Sequence, residues 1–118
     1  MTLKEFERII KKSVSKLPEE FKNILKKNQI KILAREKAPE SVLDRYKGKI
    51  VFGIFIGVPY GRFVNIQTEP TRIELFKDSF EKVFISEPEM KMQIIKTVIH
   101  EIGHYFGFSE EGIRKIVR

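Results

Sequence analysis

The chain has no cysteine and no tryptophan, and among its 118 residues there are only two histidines. Without thiols it can form neither a disulfide nor a thiolate metal site, so any bound metal has to rest on His, Asp or Glu. Cysteine-free composition fits a reducing cytosol. Long apolar runs are also missing. The longest, from Ile50 to Pro59, is too short to span a bilayer. The start, MTLKEFERIIKK, is charged and periodic and lacks the apolar core and cleavage site of a signal peptide. These features predict a cytoplasmic protein without membrane association.

Apolar residues make up 42% and charged residues 33%, a globular balance far from the composition of disorder. Lys and Arg outnumber Asp and Glu by 23 to 16. A basic excess can serve a nucleic-acid or ribosomal partner. Here it is dispersed, with Lys11-Lys12 and Lys26-Lys27 the densest pairs, and no RNP, KH or helix-turn-helix signature accompanies it. A solvated face is the simpler reading. The length suits one domain over residues 1–118, with no repeat or linker.

Leu3, Phe6, Ile10, Val14 and Leu17 recur at helical spacing, which predicts a helix over 3–16. Pro18 opens a second short helix, PEEFKNIL. Ile30, Ile32 and Ala34 alternate with Lys31, Leu33 and Arg35 as in a half-buried strand. Residues 36–48 suit a loop with one helical turn. KIVFGIFIG reads as a central strand covered on both faces, and VPYGRFVNIQTEPT as an irregular loop. RIELF gives a third strand through Ile73 and Leu75. Residues 77–85 fit either a short helix or a connection. Ser86 with Glu89 is a capping-box pattern that opens a long helix over 87–106. Gly107 is placed to stop it, and a last short helix begins near Ser109. Helices, strands, then helix make an α+β architecture: about three strands in a small mixed sheet packed on helices.

Both histidines lie in that long helix. At 100° per residue, Ile95, Val98, Ile99, Ile102 and Phe106 gather on one side, while Gln93, Thr97, His100 and His104 gather on the other. A polar line of this kind suits the floor of a cleft. Imidazoles at i and i+4 can reach one tetrahedral ion. Glu101 points to the side, displaced from that ion but in reach of a water beside it, where a general base belongs. The bland alternative is a pair of histidines decorating a surface helix. A third ligand must come from beyond Gly107, a residue free to turn the chain back. Glu110 and Glu111 both qualify, since acids also favour the first turn of a following helix. Tyr60, Arg62 and Tyr105 are candidate oxyanion donors, each with a plainer role as loop or packing residue. Lys96, one turn before His100, would oppose a cation unless it turns outward or pairs with an acid.

The stretch HEIGHYFGFSE, His100 to Glu110, resembles the metzincin motif HExxHxxGxxH with glutamate in the last position. The whole chain resembles the small bacterial zincin-like metallopeptidases with a matrixin-like domain, through LPEEF, GIFIGVPYGRF, PTRIELF and the histidine motif. The resemblance implies a minimal zincin fold with the metal helix near the C-terminus. It implies Zn2+ held by His100, His104 and Glu110, with Glu101 as base, acting on peptide or unfolded-protein substrates. Unlike metzincins proper, the chain has only eight residues after Glu110 and so no methionine turn; Met90 and Met92 precede the motif. Two other functions remain open: a zinc-stabilised binding or regulatory module without catalysis, and a basic ribosome- or nucleic-acid-associated protein.

Overall fold

The computed structural model describes residues 1–57, 71–107 and 111–112. In chain order the elements are α1 (Leu3–Val14), α2 (Glu19–Lys27), β1 (Lys31–Arg35), α3 (Glu40–Arg45), β2 (Gly53–Ile56), β3 (Arg72–Phe76), α4 (Lys77–Val83) and α5 (Glu87–Tyr105). The three strands form one mixed sheet in the order β1-β3-β2. β1 runs parallel to β3 and β2 antiparallel to it. This is the expected α+β fold with a three-stranded sheet on helices.

The local rules explain most boundaries. Thr2 and Glu5 close a capping box at the start of α1. Pro18 precedes α2, whose first turn holds Glu19 and Glu20 and whose last holds Lys26 and Lys27, each placed to suit the helix dipole. Ser86 caps α5 by accepting the N–H of Glu89, and the Glu89 carboxylate accepts from the Ser86 hydroxyl at 2.8 Å. Gly107, at φ +78°, ends the helix in the left-handed region that favours glycine. The 77–85 segment contains the helix α4, and the last short helix is described only at Glu111 and Gly112.

Two expectations about the sheet and its helix need correction. KIVFGIFIG is not the central strand. Among the described residues only Gly53–Ile56 of this run pairs as a strand, and it stands at the end of the order β1-β3-β2, with β3 in the central place. The run is apolar on both faces for a different reason. Its Phe52 and Phe55 pack on the main core, and Val51 and Ile54 pack on a second small cluster of Ala38, Val42 and Phe76. The buried stripe of α5 also differs from the expected one: Ile94 is fully buried and Ile95 only half so. The helix is covered by α1 as well as by β2 and β3, so its buried arc widens toward Ile94.

The main core joins Phe6, Ile9 and Ile10 of α1, Phe21 of α2, Ile73 and Leu75 of β3, and Ile94, Val98 and Ile102 of α5. Each such side chain contributes about 1.5–3 kcal/mol on burial, and this packing fixes α5 against the sheet. Central β3 is buried along most of its length, including Glu74. That carboxylate accepts from Arg72 Nε at 2.8 Å and from Arg35 Nη2 at 3.1 Å. No described helix is long and apolar enough to cross a membrane.

Candidate metal centre

The stripe of α5 opposite its core face opens on a cleft of about 300 Å³. Gln93, Thr97, His100 and Glu101 line one side, and Tyr46, Lys49, Ile50 and Gly53 stand on the other. The amide of Gln93 donates to the Thr97 hydroxyl at 3.2 Å, which ties the first turns of the polar line together. His104 follows one turn after His100 and is exposed.

The two imidazole rings lie 6.1 Å apart between centroids and within 27° of parallel. Around a tetrahedral ion two imidazoles sit at about 5 Å, so both rings must turn to share one ion. Two imidazoles with carboxylates nearby and no thiol make a donor set that suits zinc, so the histidine pair fits that metal. Among the described residues no three of His, Cys, Asp and Glu converge on one point. Glu110 lies outside the described residues, as do Tyr60 and Arg62. Glu111 is described and exposed. Lys96 is also exposed.

Glu101 is half-buried. Burial pushes its carboxyl above the ordinary carboxylate range, and the neighbouring His104 and the Phe55 backbone N–H pull it down without offsetting that rise. The Phe55 contact follows from the sheet. Phe76 N–H donates to Phe52 C=O at 2.9 Å, and antiparallel alternation then turns the N–H of Phe55 away from β3. It points to the side of β2 away from β3, toward Glu101.

Two further contacts set the distance between helix and strand. Tyr105 stacks on Phe55 with centroids 4.2 Å apart, a packing role beside its candidacy as an oxyanion donor. At Gly53 an added Cβ would lie 2.8 Å from the Glu74 carbonyl oxygen and 3.3 Å from Thr97 Cγ2. Only glycine lets β2 approach both β3 and α5 so closely. The sequence carries a signal for this, since a lone glycine inside a strand run marks close backbone approach. The cleft wall of Tyr46, Lys49 and Ile50 had no such signal, because it comes from the segment after α3 folding back over α5.

The family model described as zincin-like metallopeptidase matches residues 27–117. No curated protein matches the chain.

Proposed function

The chain belongs to the zincin-like metallopeptidase family, and from that premise we propose that it is a zinc-dependent peptidase. His100, His104 and Glu110 are the ligands in this reading, and Glu101 is the general base. What a bound zinc supplies is Lewis acidity and a lowered pKa for water, toward about 7. The observation that carries the assignment is the placement of Glu101. Its carboxylate is partly withdrawn from solvent, one residue from a ligand candidate, and faces the backbone of Phe55 in β2.

A carboxylate with a raised pKa is a better proton acceptor than an exposed one and can release the proton again. Glu101 accepts a proton from water on its free carboxylate oxygen and returns it to the leaving nitrogen of the peptide. An extended substrate lies along the side of β2 away from β3, where no strand pairs among the described residues, as an added strand. The apolar wall of Tyr46 and Ile50 takes a bulky apolar side chain next to the cleaved bond. The matrixin-like character of the motif, HExxH followed by glycine and an acid, supports this reading of residues 100–110.

The test is hydrolysis of a mixed library of unfolded peptides by the zinc-loaded chain, compared with Glu101→Gln. Wild type cleaves, and the variant keeps its zinc while losing about a thousandfold in kcat. Zinc binding by wild type with no cleavage of any peptide would leave the chain a metal-stabilised binding module instead.

A further inference from the structure

A groove of about 860 Å³ lies between α1, α2 and β1 and shares no residue with the histidine cleft. We propose that it is a second peptide-docking site, which takes an acidic extended segment of a partner protein as an added strand on β1. The proposal is independent of the peptidase assignment.

Ile32, Leu33, Ala34 and Arg35 all line the groove. Successive strand residues point to opposite faces, so four in a row can line one wall only if that wall is the strand's edge. β1 ends the sheet order, and among the described residues no strand pairs with that side of it. Its interior residues are half-buried while Lys31 and Arg35 at its ends are exposed. The floor is apolar, with Val14 of α1 and Leu25 of α2, and can hold the side chains on one face of an added strand. An edge with backbone donors and acceptors above an apolar floor is the arrangement that strand addition uses.

Charge identifies the occupant. Lys11, Lys22 and Lys26 line the groove with a single acid, Glu7, while the guanidinium of Arg35 is engaged by Glu74. The excess of cations attracts an acidic segment and repels a basic one. It also argues against a second copy of this chain. A second β1 strand, KILAR, carries no acid and would bring further positive charge onto the groove lysines. Those lysines are complementary to the glutamates of a visiting strand.

The test uses the full zinc-loaded chain carrying Glu101→Gln, so that no cleavage intervenes, and a fluorescein-labelled peptide of seven residues that alternates glutamate with isoleucine or valine. Anisotropy should show saturable, salt-sensitive binding, weakened about tenfold by Lys11→Glu with Lys26→Glu and unchanged by Lys47→Glu on a different surface. A peptide with lysine in place of glutamate should not bind. Backbone amide shifts should move at residues 31–35 and along the groove sides of α1 and α2. Equal binding of acidic and basic peptides, shifts confined to β2 and α5, binding of laurate but not of peptide, or a concentration-dependent dimer that blocks binding would each overturn the proposal.

Discussion

Two carboxylates flank β2 at consecutive residues. Glu74 stands opposite Ile54 in the ladder, and Glu101 accepts the N–H of Phe55. The protein treats them in opposite ways. At Glu74 burial raises the carboxyl, but hydrogen bonds from Arg72 and Arg35 and their charges outweigh it, and the pKa ends below the ordinary value. At Glu101 burial wins, because only the Phe55 N–H and the neighbouring His104 oppose it. A carboxylate clamped by two guanidiniums is a structural ion that gives up its proton readily and seldom takes one back. A carboxylate held by a single N–H keeps an affinity for protons, which a base requires. The contrast separates an acid serving the fold from one suited to chemistry, on two sides of a four-residue strand.

Exchanging carboxylate for amide at each position tests that separation. The largest effect is expected at Glu101. Glu101→Gln lowers peptide hydrolysis about a thousandfold, while the thermal midpoint of the metal-free chain does not fall, which calorimetry checks. Glu74→Gln should do the reverse. It leaves two guanidiniums without their shared carboxylate and lowers stability by about 2 kcal/mol, measured by urea unfolding, with zinc affinity unchanged. If both variants lose stability equally and activity equally, the distinction between the two acids fails.

Gly53 links the two sites, since it packs under the Glu74 carbonyl and against Thr97. Gly53→Ala should cost about 1–3 kcal/mol through overpacking. By moving β2 off α5 it should also lower kcat more than it weakens zinc binding, which parallel titrations can show.

A smaller effect concerns acid. Because the folded pKa of Glu74 is depressed, its contribution is present above the unfolded carboxyl value of about 4.3 and is lost as pH falls through the folded one. Arg35→Gln removes one guanidinium, brings the folded pKa nearer to the unfolded value, and should shift the acid-unfolding midpoint upward by a few tenths of a pH unit, to order of magnitude. Arg35 is half-exposed, at 49% for its side chain, so solvent screening keeps this effect modest. Circular dichroism against pH provides the measurement.

The sequence made α5 legible because its signals are local. Ser86, the apolar period and Gly107 mark its ends and core face, and the polar line through Gln93, Thr97 and His100 does line a cleft. The sheet was legible as strands but not in order. Phe52, Ile54 and Phe55 look like a central strand because both faces of β2 are covered, and nothing local tells a covered edge from a centre. Conversely the glutamate of RIELF does not betray that β3 is central, since Arg35, 39 residues earlier, helps to neutralise it. The groove beside β1 was invisible for the same reason: α1, α2 and β1 build it only when packed.

The central claim is that His100 and His104 hold one zinc ion with Glu101 free beside it. X-ray absorption at the zinc edge of the loaded chain tests this most directly. The account predicts one zinc per chain with two imidazole nitrogens at about 2.0 Å, reduced to one in His104→Ala and unchanged in Glu101→Gln. A spectrum with no imidazole shell, or one that His104→Ala leaves unaltered, would contradict it.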